Sequence, residues 1–207
     1  MPYSTTVVDV GSSMSPLLAV LPQKSDNVIA IDIDHFSLLE ASIRYPNIHF
    51  LESSASSLPL ASNYCDTVLF LDVLEHVENE QQSIDEVWRI LKPEGKLILS
   101  VPNRGLFAFL DPQNLSMRVR GTYEYRHRHR HYSEKDICRF FGSRFEILRR
   151  HYGGLFIYPL TFALNNFLQH HFGMRWGSFF KRVGDWDNTM SWGRHSYNLI
   201  IMARKVG

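Results

Sequence analysis

Residues 5–18 read TTVVDVGSSMSPLL. A β-forming run passes directly into Asp-Val-Gly, and serines stand where a nucleotide-binding loop carries further glycines. The stretch has two readings: a cofactor loop, or an ordinary strand-turn-helix built on common turn formers. As a cofactor loop, it offers backbone N–H groups at the start of a helix and small residues against which a ligand can lie. Asp9 then accepts hydrogen bonds from an ammonium or holds the loop.

The first hundred residues alternate between strand and helix periods. SPLLAVLP (15–22) reads as a short helix, with Ser15 as N-cap and Pro16 at the first helical position. NVIAIDID (27–34) is a second strand, and HFSLLEASIRY (35–45) has helical spacing up to Pro46. NIHFLES (47–53) and CDTVLFLDV (65–73) are further strands, the latter apolar enough for burial on both faces. ENEQQSIDEVWRIL (78–91) is amphipathic, with Ile84, Val87, Trp88 and Leu91 on one side. KPEG (92–95) is a turn before KLILSVP (96–102). Alternating strands and helices predict right-handed crossovers and a parallel sheet with helices on both faces. Ligands of such sheets bind at the carboxyl ends of the strands.

Asp32 ends the second strand about 20 residues after Gly11, the spacing of an acid that accepts hydrogen bonds from ribose hydroxyls. Asp34 then caps the following helix. Farther on, YSEKDICRFFG predicts a helix capped by Ser133, with Asp136 in the capping-box position. FEILRRHYGG (145–154) and SYNLIIMARK (196–205) are the last strands.

Four motifs in order carry a resemblance: the Asp-x-Gly loop with its ribose acid, Ala55, Leu58 and Pro59 of an A..LP segment, VLEHV (73–77), and LKPEG (91–95) before a strand. The chain resembles class I S-adenosylmethionine-dependent methyltransferases of the small-molecule type, strongly from residue 5 to about 103 and more weakly beyond. The resemblance implies an α/β, Rossmann-like, doubly wound sheet of seven strands in three α/β/α layers, mostly parallel with the last strand antiparallel. It implies one methyltransferase domain over 1–207, with a substrate-side loop at 104–132 and an aromatic-rich lid at 155–192. It implies S-adenosylmethionine as cofactor and S-adenosylhomocysteine as product. Asp9, Gly11, Ser12 and Ser13 would face the methionine part, and Asp32 the ribose. Ile33, Ser54 and Ala55 would border the adenine, and Leu71 and Asp72 the methionine amino group.

Three departures accompany the resemblance. Ser13 and Ser15 replace glycines, so a positive φ there would be strained. Ser54 stands where the family often has Asp. Few residues precede the first strand, so either the start is trimmed or other elements form the lid.

RHRHRH (126–131) alternates cation and imidazole. It reads as a solvated basic loop, a phosphate- or carboxylate-recognising strip, or a metal site, and nothing in the sequence completes a metal-ligand set. Family members carry a similar His-x-Tyr/Phe-Ser/Thr pattern near substrate, which makes His127, His129 and His131 candidate bases, with Tyr132 as a wall or hydrogen-bond donor. His76, just past the fourth strand, is a further candidate base or a loop-orienting residue.

The reading is therefore methyl transfer, by O-methylation, to a small-molecule or lipid- or sugar-linked acceptor. The second reading is a cofactor-binding or scaffold protein of the same fold without catalysis. A nucleic-acid methyltransferase ranks below both, because LDVLEH replaces the Asn/Asp-Pro-Pro-aromatic motif and the net charge is only +1. Partners expected are the acceptor, no nucleic acid, and a membrane surface or a second copy through 155–192. Cys65 and Cys138 lie far apart in sequence and suggest reduced thiols, and no secretion leader or membrane span is visible, which together predict a cytoplasmic protein.

Overall fold

The computed structural model describes residues 3–105, 108, 130–154, 182, 186–187, 189–191 and 193–207. Seven strands form one sheet in the order β3-β2-β1-β4-β5-β7-β6. They are β1 (Ser4–Val10), β2 (Ser25–Asp32), β3 (His49–Glu52), β4 (Cys65–Leu71), β5 (Leu91–Pro102), β6 (Phe145–Gly153) and β7 (Asn198–Lys205). The pairs β1·β2, β1·β4, β2·β3 and β4·β5 are parallel, and the last strands run antiparallel. The α-helices named among the described residues are α1 (His35–Arg44), α2 (Glu80–Ile90) and α3 (Glu134–Phe141). The fold is the doubly wound Rossmann-like sheet expected. Strand order reverses direction at β1/β4, so the carboxyl ends of β1 and β4 flank the crevice where such sheets bind ligands.

The chain divides into two compact units, Met1–Ser100 with Ile137–Arg149 and Ile201–Gly207, and Val101–Asp136 with Arg150–Ile200. In the first, Val7, Val28, Ala30 and Leu69 of the sheet pack with Leu18, Leu21 and Ala41. The α2 helix buries Ile84, Val87 and Ile90. Ile90 joins the buried face; Trp88 is half-buried and lies beneath the ammonium of Lys205, 4.1 Å from its ring centroid. Lys205 Nζ also donates to Asn63 Oδ1 at 2.8 Å and to the Leu91 carbonyl at 2.7 Å, which ties the end of β7 to the sheet. In the second unit, Asn103 Nδ2 donates to the carbonyls of Arg194 (3.0 Å) and Ser196 (2.7 Å) and holds the Gly193–His195 turn.

Two local expectations change. The helix expected over 15–22 is two short 3-10 turns, Pro16–Ala19 and Leu21–Gln23. Pro22 lacks the N–H that would continue an α-helix and disfavours helical backbone at Leu21. KPEG does turn, but inside β5: Cys65 pairs Leu91 and Thr67 pairs Lys96, so residues 92–95 loop out of the ladder. Capping follows expectation. Ser133 Oγ and N–H both donate to Asp136 Oδ2, and the Asp136 N–H returns to Ser133 Oγ. Among the described residues no helix is long and apolar enough to cross a membrane.

Candidate active site

The site lies within the first unit, in a cavity of about 540 Å³. Its walls are the ends of β1 and β2 with the turns that follow them, the 53–56 turn after β3, and the 72–78 segment after β4.

The loop after β1 is built around Gly11, whose φ is +73°. A Cβ there would sit 2.2 Å from Val73 Cγ2, so glycine alone lets the 72–78 segment approach the loop. The N–H groups of Gly11 and Ser12 both donate to the Ile31 carbonyl, at 2.7 and 3.1 Å, and dock the loop on β2. Ser13 has φ +41°, the strained conformation anticipated. Ser15 does not: its φ is −54°, and it caps the first 3-10 turn with Oγ accepting from the Leu17 N–H.

Asp34 takes the capping role expected of it. Asp34 caps α1 by accepting from the Phe36 N–H at 3.1 Å. Asp32 accepts from the Ser13 N–H at 2.8 Å on Oδ2 and from the Asp34 N–H at 2.9 Å on Oδ1. Each oxygen keeps a lone pair for a further donor.

Gly11, Ser13, Asp32, Ile33, Ser54, Ala55, Asp72 and His76 all line the cavity, as do Val10, Ser53, Ser56, Val73, Val77 and Glu78, which the sequence reasoning did not single out. Val77 ends VLEHV and Glu78 follows it, so continuing that motif by one residue would have found both. Ile33 is 72% exposed, an apolar surface held at the mouth. Asp72 has φ +54° and is held by Ser100 Oγ at 2.8 Å.

Asp9, Ser12 and Leu71 do not line the cavity. Asp9 and Ser12 are buried behind the loop, and Asp9 Oδ2 and Ser12 Oγ lack hydrogen-bond partners among the described residues. Burial, then the charge of Asp32, pushes the Asp9 carboxyl up to about 7. Leu71 packs into the hydrophobic core instead. His131 belongs to the second unit, with its ring edge-on to Tyr197 at 6.3 Å. His127 and His129, and most of the 104–132 and 155–192 segments, lie outside the described residues.

One support of the site was not foreseen. Glu86 and Arg89 of α2 clamp the segment that ends the A..LP motif. Glu86 Oε2 accepts from the Leu58 N–H at 2.7 Å, while Arg89 donates to the carbonyls of Leu58 (2.9 Å) and Leu60 (2.6 Å). The two side chains also pair with each other at 2.7 Å, which holds Glu86 below the usual carboxylate range. Gln82 donates to the Ser56 carbonyl at 3.0 Å. The polar face of α2 thus positions the wall that carries Ser54, Ala55 and Ser56.

Comparison with known proteins agrees with this geometry. A methyltransferase-domain family matches residues 8–99. The ubiquinone biosynthesis O-methyltransferase of Paracidovorax citrulli is 30% identical over 166 residues, 75% of this chain and 68% of that protein. A protein of Mycolicibacterium smegmatis named as a probable S-adenosylmethionine-dependent methyltransferase is 32% identical over 81 residues, 39% of this chain and 32% of its own length. The chain thus spans about a third of the length of the first curated relatives it matches. In fold, it is similar to the N-methyltransferase NodS of Bradyrhizobium japonicum, solved with S-adenosylhomocysteine, at TM-score 0.61 and 11% identity over 98% of this chain and 79% of that one. The chain belongs to the class I S-adenosylmethionine-dependent methyltransferase family.

Proposed function

We propose that the chain binds S-adenosylmethionine in this cavity and transfers its methyl group to a hydroxyl of a small-molecule or lipid- or sugar-linked acceptor. The observation that carries the reading is the charge inventory of the wall. Asp32, Asp72 and Glu78 line the cavity, and among the described residues no lysine or arginine does. A phosphorylated dinucleotide would bring negative charge to three carboxylates. S-adenosylmethionine brings an uncharged nucleoside and a methionine part whose sulfonium and ammonium outweigh its one carboxylate, and the residues present fit it.

Asp32 would hold the ribose hydroxyls with the lone pairs that Ser13 and Asp34 leave. Ile33 and Ala55 would enclose the adenine, with Ser54 at its edge. Gly11 and Ser13 would carry the methionine part over their backbone, and Asp72 would meet its ammonium. Asp9 and Ser12 would act from behind the loop. The bound cofactor supplies the activated methyl; the chain supplies binding, orientation and a proton acceptor. His76 is exposed on the cavity wall and is the described histidine placed to take a proton from an acceptor hydroxyl. His131 and His127 remain candidates for that role. The O-methyltransferase name of the Paracidovorax citrulli relative supports oxygen as the methylated atom. An acceptor contact, a membrane surface or a second copy at 155–192 belongs to the same proposal, with no nucleic acid. A cytoplasmic setting belongs to it as well.

The test is formation of S-adenosylhomocysteine from S-adenosylmethionine with quinol, phenol, sugar and lipid-linked hydroxyl acceptors, with Asp32→Ala as control. Product that tracks one acceptor class and is lost in the control supports the reading. Cofactor binding without product from any class would favour the scaffold reading.

A further inference from the structure

We infer that Asp9 is a proton-linked charge behind the cofactor loop: it releases a proton to solvent when a positively charged ligand seats over Gly11 and Ser13. The inference rests on the proposed use of the cavity for S-adenosylmethionine. Asp9 lies on β1, the strand between β2 and β4, in register with Ala30 on one side and Leu69 on the other. It is 3% exposed, and its Oδ2 has no hydrogen-bond partner among the described residues. An ionised carboxylate so placed loses hydration without gaining donors.

The surroundings add negative rather than positive charge. From β2, Asp32 raises the cost of a second negative charge. β4 presents Leu69 in register, and its titratable residues, Cys65 and Asp66, stand at the start of the strand, the end away from the loop. Past β4 come Asp72, Glu75 and His76, and the 3-10 turns after the loop carry no titratable residue. Burial and Asp32 together hold the Asp9 carboxyl at about 7, so near neutral pH it is divided between its two forms. A positive charge seated over the loop favours the ionised form. Mass balance is simple: one carboxylic O–H bond breaks, the proton passes to buffer, and Asp9 keeps the negative charge.

The sign follows by linkage. Below the Asp9 midpoint, binding must expel a proton, so affinity falls with falling pH; above it, no proton is owed. Relative to Asp9→Asn, wild-type affinity is expected to weaken about tenfold between about pH 8 and pH 6. The ligand's own α-amino group titrates at about 7.7–8.0, but it does so in both proteins and cancels in the comparison.

The experiment is calorimetric titration of S-adenosylmethionine into wild type and Asp9→Asn at pH 6, 7 and 8, in pairs of buffers of different ionisation enthalpy. The wild type should release close to one proton more than the variant at pH 6 and close to none more at pH 8. Equal proton counts and parallel pH slopes in the two proteins would overturn the inference while leaving the cofactor reading intact. No binding to either protein at any pH would overturn the cofactor reading and the inference with it. A carbon NMR titration of the Asp9 carboxyl in the wild type gives the same answer without a variant. Its midpoint should drop on adding S-adenosylmethionine, and an unmoved midpoint would overturn the inference.

Discussion

The Ser13 N–H donates to Asp32 Oδ2 at 2.8 Å, so the loop after β1 and the acid at the end of β2 form one structure. The acid that would hold the ribose also fixes the loop that would carry the methionine. Removing Asp32 therefore does two things at once. Asp32→Asn should speed hydrogen exchange at the Ser13 and Asp34 amides as well as weaken ligand binding. Unchanged exchange at Ser13 would separate the two roles and count against their coupling.

Ser13 occupies left-handed backbone at φ +41°, where a side chain costs about 1–2 kcal/mol. Ser13→Gly removes that cost but adds freedom to the unfolded chain, which returns about 0.4–1 kcal/mol. The net expectation is a gain between about zero and about 1.6 kcal/mol, seen as a rise of up to about 6 °C in melting temperature. A fall would mean that the Ser13 side chain makes a contribution larger than its strain. Ser15→Gly should instead lower stability slightly, because its Oγ caps the turn.

The Glu86–Arg89 clamp should matter more than an exposed helix pair. Arg89→Ala leaves two carbonyls and a carboxylate without their partner, at an expected cost of about 1.5–3 kcal/mol. Thermal unfolding in the absence of ligand measures it. A change below about 0.5 kcal/mol, the range of ordinary surface pairs, would show that the clamp is solvated rather than structural.

Asp9 also sets a pH trend in folding stability without ligand. Its folded carboxyl titrates at about 7, above the value of about 3.9 for an unfolded aspartate, so the folded state holds the extra proton between those values. Stability from this group is present at low pH and is lost as pH rises through that window. Asp9→Asn lacks the loss. Chemical denaturation between about pH 5 and 8 should therefore show the wild type falling relative to the variant, and parallel curves would contradict the assignment.

The residues whose roles follow from local spacing were legible before the structure. Asp34 as cap follows from strand-to-helix geometry, and Ser133 with Asp136 follows from the capping pattern. The sheet is legible because each crossover leaves its own periodic signature. What was not legible depends on distant chain meeting locally. The burial of Asp9 and Ser12 behind the loop depends on β4 and its following turn closing over Gly11. Ser13 and Ser15 look equivalent in sequence, yet only Ser13 adopts positive φ, because Ser15 already serves the next turn. The i, i+3 spacing of Glu86 and Arg89 allows a helix pair but carries no sign of what else it holds. Only the fold brings the backbone of Leu58 and Leu60 to them. Leu71, the last residue of β4, packs against the core, while Asp72, just past the strand in left-handed backbone, lines the cavity.

The central claim is that this cavity binds S-adenosylmethionine through Asp32. Calorimetric titration of the full chain with S-adenosylmethionine, beside Asp32→Ala, tests it most directly. The wild type should bind saturably, and that binding should be lost in a variant that still unfolds cooperatively. No heat from the wild type at millimolar cofactor, or equal affinity in the two proteins, would contradict it.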